Sequence, residues 1–213
     1  MTMSRCNVLL AGIGGQGVLT LARAIGTAAV AAGVPVRVGQ IYGLSQRGGS
    51  VEATVRVGVA QTAFVSAAEA DVLLAFEPLE AARALPRVSG DGIVLVNTRP
   101  IVPSGQTLRQ SPYPDVASIV ERLRLVAPHV VAVDASALAI HAARLRLLGT
   151  VMAGLLAGSG RLPFDSEYLR SAIEGQARSQ TADAHRVAWT LGLEVSSRAL
   201  ADAAAGSRIA TGM

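Results

Sequence analysis

The first half of the chain alternates between two patterns of apolar residues. Short apolar runs at Asn7–Ala11, Val34–Gln40, Asp71–Phe76 and Ile93–Val96 have the length and composition of buried strands. Between the first two runs, apolar residues recur at helical spacing over Val18–Ala32. Strands that alternate with helices are typical of α/β proteins. We therefore predict an open, mostly parallel, Rossmann-like sheet with helices on both faces.

Two segments of this half depart from simple alternation. Over Val51–Val57, apolar and polar residues alternate with period two, as in a half-buried strand. This strand follows a long glycine loop, not a helix, so we expect it to run antiparallel at an edge of the sheet. The triplet Gly90-Asp91-Gly92 has the composition of a turn.

The second half is mostly helical. A helix is predicted over Val116–Val126, a strand over Val130–Asp134, and then helix from Ala135 to about Leu193 with a break at Gly158–Pro163. We expect residues 1–195 to form a single domain with a helical C-terminal segment. The Ala-rich tail, residues 196–213, is expected to be frayed.

Composition excludes several classes of protein. No stretch approaches the roughly 18 consecutive apolar residues of a membrane span, and no secretory signal precedes the first strand, so a cytoplasmic location is expected. All 19 basic residues are arginines, and they are scattered, whereas nucleic-acid binding requires a cluster. The single cysteine, Cys6, cannot hold an iron–sulfur cluster, which needs about four. Widely spaced histidines predict no metal site, and no catalytic residue is assignable in this chain.

A glycine loop directly follows the first strand and precedes the first helix. It matches G-x-G-x-x-G, with candidate cofactor-binding residues Gly12, Gly14, Gly15, Gln16 and Gly17. Such a loop lets the backbone approach an anion at the positive end of a helix. A dinucleotide is disfavoured, because no Asp or Glu follows the second strand. A phosphate or pyrophosphate of another ligand, or close packing alone, stays open.

Further candidates follow other strands at the same edge of the predicted sheet. The second glycine loop and the strand that ends at Asn97 supply the other candidate cofactor-binding residues: Ser45, Gln46, Arg47, Gly48, Gly49, Ser50, Asn97 and Arg99. A salt bridge from Arg99 to Glu77 or Glu80 is the alternative to ligand binding. For Glu77, a position at the start of a helix is favoured over that of an active-site acid.

Several separated segments together carry a family resemblance: Asn7–Val18, Gln46–Val51, Ala70–Ala81, Val96–Ile101 and Tyr113–Val116. They are similar to the gamma domain of pyruvate and ketoisovalerate ferredoxin oxidoreductases, and more narrowly to the beta subunits of indolepyruvate ferredoxin oxidoreductases. The resemblance implies a non-redox subunit of a 2-oxoacid:acceptor oxidoreductase, inactive alone. It implies a large partner subunit that holds thiamine diphosphate, magnesium and the iron–sulfur clusters.

For this chain, the resemblance implies that no cofactor is bound tightly and that coenzyme A is contacted. Its pyrophosphate is expected at Gly14–Gly17, and Arg47 and Arg99 are candidates for the remaining negative charge. The sequence departs from relatives at Leu145-Arg146 and at Thr181–His185, where asparagine is usual, which suggests a different 2-oxoacid or acceptor.

Two other functions stay open. One is a stand-alone Rossmann-type nucleotide-binding enzyme, and the other is a purely structural interaction subunit. The apolar, aromatic-poor composition also suggests a homodimer when the partner is absent.

Overall fold

The computed structural model describes residues 5–42, 49–58, 61–101, 112–176 and 179–211. In these ranges the chain forms one six-stranded sheet and seven α-helices. The strands are β1 (Cys6–Ile13), β2 (Val36–Tyr42), β3 (Ser50–Val57), β4 (Ala70–Ala75), β5 (Val88–Asn97) and β6 (His129–Val133). The helices are α1 (Val18–Ala31), α2 (Pro78–Ala84), α3 (Val116–Val126), α4 (Ala135–Ala142), α5 (Leu148–Gly158), α6 (Ser166–Glu174) and α7 (Ala182–Thr211).

The sheet has the strand order β2-β3-β1-β4-β5-β6. Strands β1, β4, β5 and β6 run parallel to one another, and β3 is antiparallel to both β1 and β2. The antiparallel direction predicted for β3 is confirmed, but its predicted edge position is wrong. It lies between β2 and β1, where Ala53, Val55 and Val57 are buried, and β2 occupies the edge.

Alternate residues of each strand point to opposite faces of the sheet, and each face carries its own core. Val8 and Leu10 of β1 belong to a core shared with α1, α4, α5, α6 and α7. Leu9 and Ala11 belong to a second core shared with α2 and α3. Helices therefore cover both faces, which confirms the predicted fold class.

The predicted turn at Gly90–Gly92 is wrong, because β5 runs through it. The register between β4 and β5 shifts there, from the pair Ala70–Val88 to the pair Val72–Ile93. More residues are used on β5 than on β4, as in a bulge. A Cβ atom at Gly92 would lie 2.9 Å from the backbone oxygen of Ala70, so only glycine fits the irregular strand.

The C-terminal helical region is divided more often than predicted. Breaks occur at 143–147 and 175–181, in addition to the one between α5 and α6. Helix α7 continues to Thr211, and fraying of residues 196–213 stays a prediction. Ser196 is fully buried, and Ala199 and Leu200 pack against the core. Packing therefore supports α7 as far as Leu200, and residues 201–205 are exposed.

Within the described ranges, no single helix has the length and apolarity to cross a membrane. The helices over 135–142 and 145–158 reach that length together, but they bend by 119° at their junction. Helix α5 is buried from Thr150 to Leu156. Burial on all sides is the ordinary reason for an apolar helix in a protein core.

Glycines let α7 approach α5 closely. A Cβ atom at Gly154 would lie 2.2 Å from the backbone oxygen of Trp189, and one at Gly192 would lie 2.1 Å from that of Val151. Gly158 faces the backbone oxygen of Leu193 in the same way, at 2.4 Å. Backbone atoms cannot rotate away as a side chain can, so these glycines set the distance between the two helices.

We expect Gly154→Ala to reduce the free energy of unfolding by about 1–3 kcal/mol, because the added methyl overpacks the α5–α7 interface. Gly149→Ala, in the same helix, is the matched control, since a Cβ there meets no atom within 4 Å. It should leave stability unchanged or raise it by up to about 1 kcal/mol, the helix preference of Ala over Gly. Urea denaturation measures both, and equal effects would contradict this account of the interface.

Candidate functional site

Four parallel strands end at one edge of the sheet, and their following segments meet there. The loop after β1 carries the first glycines, β4 leads to Glu77, β5 ends at Asn97 and β6 leads to Asp134. The backbone oxygen of Phe76 accepts hydrogen bonds from the side chains of Gln16 and Asn97, both at 2.9 Å. One carbonyl group thus holds the glycine loop and the end of β5 together.

The glycines of the first loop have two different tasks. Gly12 lies within β1, and a Cβ there would lie 2.8 Å from Val18 and 2.9 Å from Phe76, so it serves close packing. Gly15 and Gly17 have φ angles of 100° and 90°, which favour glycine, and the space around each is open. The Gln16 carboxamide oxygen accepts a 2.7 Å bond from the backbone N–H of Ile13, which fixes the loop.

Helix α1 begins with an open N-terminus. Gly17 provides no capping side chain, and the first turn contains no acidic residue. Four other helices have a carboxylate cap, namely Glu77 for α2, Asp115 for α3, Asp134 for α4 and Asp165 for α6, whereas α5 has no capping side chain. Unoccupied N–H groups and the positive end of the helix dipole favour an anion at α1.

The second loop is described only at its end. The backbone N–H of Gly14 donates to the backbone oxygen of Gly49 at 3.0 Å, so the two glycine loops touch. Ser50 donates to a carboxylate oxygen of Glu80 at 2.6 Å. The candidates Ser45, Gln46, Arg47 and Gly48 lie outside the described residues, and their roles stay predictions.

Asn97 was a candidate ligand-binding residue, but its amide group is used within the protein. The residue is fully buried. Its Nδ2 donates to Phe76 and to the hydroxyl of Ser136 at 3.0 Å, and its Oδ1 accepts from the backbone N–H of Ser136 at 3.2 Å. This geometry makes Asn97 a residue that positions β4, β5 and α4, and we correct its predicted role accordingly.

Arg99 is paired, but not with the partners that the sequence suggested. Its guanidinium donates twice to the carboxylate of Asp134, at 2.7 and 3.3 Å, and not to Glu77 or Glu80. Those two glutamates are already occupied by other donors. Burial acts to raise the pKa of Asp134, but the bonds from Arg99 and from backbone N–H groups outweigh it and hold that pKa below its usual value. Half of the Arg99 side chain is exposed at the sheet edge.

Glu77 is a buried helix cap. Its carboxylate accepts from the backbone N–H groups of Leu79 at 2.8 Å, Glu80 at 3.1 Å and Ile101 at 3.3 Å, and from the hydroxyl of Tyr113. Burial, followed by the bond to Glu77, raises the pKa of Tyr113 well above its usual value. All of these hydrogen bonds join Glu77 to groups of the protein itself. The geometry therefore agrees with Glu77 as the residue that starts helix α2 and not as a catalytic acid.

A cavity of about 240 Å³ opens beside the first glycine loop, and sequence reasoning missed it. Gln16, Gly17 and Thr20 form one wall, and Arg146, Gly149 and Thr150 form a second wall at the start of α5. The remaining walls are formed by Leu21 and Ala24 in α1, Ile173 near the end of α6, Gln176 just after it, and His185 in α7. Roughly 130 residues separate the loop from Arg146, so no local pattern predicts this meeting. Arg146 and His185 do fall in the two segments, Leu145-Arg146 and Thr181–His185, where the family resemblance implied a different residue.

The electrostatics of the cavity are set by His185 and Arg146. The imidazole Nδ1 of His185 lies 2.8 Å from the hydroxyl oxygen of Thr150. Burial lowers the pKa of His185 below its usual value, Glu174 opposes the shift and Arg144 adds to it. Among the described residues that line the cavity there is no carboxylate, and Arg146 carries a permanent positive charge.

No group of three His, Cys, Asp or Glu side chains suited to a metal ion occurs among the described residues. Cys6, the only cysteine, is buried in β1, and burial raises the pKa of its thiol to about 12. A protonated, inaccessible thiol is a poor metal ligand. The described residues do not fit an iron–sulfur cluster.

Replacing Glu77 by Ala should lower the free energy of unfolding by more than about 2 kcal/mol, because the buried N–H of Glu80, two partly buried N–H groups and a hydroxyl lose a charged acceptor. Asp165→Ala is the control, since this exposed cap of α6 serves one N–H group and should cost about 1 kcal/mol. Equal losses in chemical denaturation would show that Glu77 is an ordinary cap.

The stability of the chain should fall as the pH drops below the ordinary histidine pKa of 6.5. Because the folded pKa of His185 is lower, the unfolded state binds a proton more readily in that window, and the contribution is complete only above about pH 6.5. His185→Gln should reduce the loss between about pH 8 and pH 5. The same change at His141, exposed on α4, should not, as denaturation midpoints at both pH values would reveal.

Comparison with known proteins places the chain in a family. Residues 7–205 match the family model described as pyruvate ferredoxin/flavodoxin oxidoreductase. The subunit IorB of indolepyruvate oxidoreductase from Archaeoglobus fulgidus is 36% identical over 188 residues, which cover 88% of this chain and 94% of that protein.

Solved structures share the fold at lower sequence identity. The gamma subunit of the keto/oxoacid ferredoxin oxidoreductase from Geobacter sulfurreducens superposes with a TM-score of 0.65 at 19% identity, covering 90% of this chain and 98% of that one. The 2-oxoglutarate:ferredoxin oxidoreductase from Magnetococcus marinus, solved with 2-oxoglutarate, coenzyme A and succinyl-CoA, gives 0.68 at 16% identity, covering 90% and 31%. The family model and the full-length relative carry the assignment: the chain belongs to the pyruvate ferredoxin/flavodoxin oxidoreductase family.

Proposed function

We propose that this chain is the non-redox small subunit of an indolepyruvate-type 2-oxoacid:acceptor oxidoreductase. The observation that carries the proposal is the 36% identity to IorB over 94% of the length of that subunit. The complete enzyme would oxidatively decarboxylate an arylpyruvate and transfer the acyl group to coenzyme A. A stand-alone dinucleotide-binding enzyme is not favoured, since no acidic residue follows β2 at the place where a ribose would bind.

The redox groups belong to a larger partner subunit in this proposal. A chain with one buried cysteine lacks the thiolates that iron–sulfur clusters require. The thiamine diphosphate, its magnesium ion and the clusters would therefore be held by the partner. The exposed side chains at the carboxyl edge of the sheet, Arg99 among them, are available to that subunit.

The small subunit would contribute part of the coenzyme A site. The support is local: α1 starts without a cap, and Gly15 and Gly17 leave open space in front of its N–H groups. A pyrophosphate carries the negative charge that such a helix end favours. When bound, coenzyme A would supply the thiol that accepts the acyl group, and this chain would bind and orient it.

The subunit proposal is tested by reconstitution with the large subunit that copurifies from the native host. We expect indolepyruvate- and coenzyme A-dependent reduction of a dye acceptor only when both chains are present. Activity of the large chain alone at the full rate would contradict the proposed role. Recovery of this chain without any partner under gentle anaerobic conditions would contradict the assembly itself.

The coenzyme A contact is tested by Gly17→Ala in the reconstituted enzyme. The added Cβ narrows the approach to the start of α1, so we expect the KM for coenzyme A to rise about tenfold or more, equivalent to the loss of one charge-assisted hydrogen bond. Gly33→Ala is the matched control, since Gly33 has a φ of 71°, equally open surroundings, and lies at the opposite end of α1. Both variants carry the backbone strain, but only Gly17→Ala should change KM. Equal KM values in the two variants would leave the loop a purely structural role.

A further inference from the structure

The cavity beside the first glycine loop has the construction of an anion site. The first turns of α1 and α5 both open into it, through Gly17 and Gly149. Neither helix has a capping side chain or an acidic residue in its first turn. The start of α1 therefore directs a positive helix end into this space. Helix α5 continues directly from the 3-10 turn Leu145–Leu147, and the backbone N–H of Leu148 already donates to the oxygen of Leu145.

Side chains add to the positive potential of this cavity. Arg146 lies at its rim with an exposed guanidinium, and His185 and Thr150 form a hydrogen-bonded pair in its wall. Glu174, the acidic group that acts on His185 from α6, is itself paired with Arg170 at 3.1 Å. The negative charge beside the cavity is thus partly neutralised.

We propose that this cavity binds a phosphoryl or pyrophosphate group, with Arg146 as its counter-charge and His185 as a second donor that acts when protonated. At about 240 Å³ it is smaller than the roughly 300 Å³ at which drug-sized ligand sites begin, so it accommodates part of a ligand. The bound group would belong either to coenzyme A or to a free inorganic anion. The assignment to coenzyme A rests on the proposed function.

His185 links this binding to pH. In the free protein, burial and the charge of Arg144 favour the neutral imidazole, while Glu174 favours the charged form. Arg146 lines the same cavity and carries the same charge as Arg144. A bound dianion reverses that balance by stabilising the imidazolium, so the anion and a proton bind together. The affinity for the anion consequently rises as the pH falls.

The experiment measures binding of two probes, inorganic pyrophosphate and coenzyme A, to the full chain by calorimetry. The buffer contains no phosphate, and about 0.15 M salt screens nonspecific attraction. The variants are Arg146→Gln, His185→Gln and, as matched control, Arg144→Gln. Arg144 is also exposed, lies two residues away and carries the same charge, but does not line the cavity.

We expect Arg146→Gln to weaken binding of both probes at least about tenfold, the size of one charged hydrogen bond, and Arg144→Gln to change it much less. The wild-type affinity should rise about threefold or more from pH 8 to pH 6, and His185→Gln should abolish that rise. Equal losses in Arg146→Gln and Arg144→Gln would overturn the site and leave only general attraction.

The two probes separate this inference from the proposed function. Arg146-dependent binding of pyrophosphate without binding of coenzyme A would support the cavity and refute the coenzyme A assignment. Binding of coenzyme A that is indifferent to Arg146 would overturn the cavity and leave the glycine-loop assignment intact. Binding of neither probe would overturn both.

Discussion

The backbone oxygen of Phe76 is the point on which the sheet edge depends. It lies at the end of β4, between β1 and β5, and accepts the amide hydrogens of Gln16 from one side and of Asn97 from the other. The backbone N–H of Phe76 donates to the backbone oxygen of Ala11 at 2.8 Å. Because Asn97 and Phe76 are fully buried, losing the bond between them leaves a polar group unsatisfied, and these bonds together hold the three strand ends in one arrangement.

The surroundings of this point divide the polar residues into two classes. Asn97 and Glu77 spend every bond on the protein, and their chemistry is therefore structural. Gly15 and Gly17 leave backbone groups facing open space. At this edge of the sheet, the polar groups that face open space are backbone groups of the glycine loop, and the buried side chains of Asn97 and Glu77 are bonded within the protein.

On one face of the sheet, the close packing of α5 against α7 completes the site. Gly154 and Gly192 let the two backbones meet, and this contact fixes the start of α7 next to the start of α5. Thr150 and His185 are brought within hydrogen-bonding distance as a result. The position of this hydrogen-bonded pair in the cavity wall thus depends on helix packing far from the glycine loop.

The sequence by itself determined the alternation of strands and helices, the helices on both faces, the antiparallel direction of β3 and the position of the glycine loop between β1 and α1. These features follow from local periodicity and turn chemistry. The tertiary structure decided five other features: the place of β3 inside the sheet, the strand through Gly90–Gly92, the continuation of α7, the partner of Arg99 and the cavity. Each of these features depends on which groups, distant along the chain, become neighbours in the fold. A pattern of a few consecutive residues does not carry information about such distant contacts.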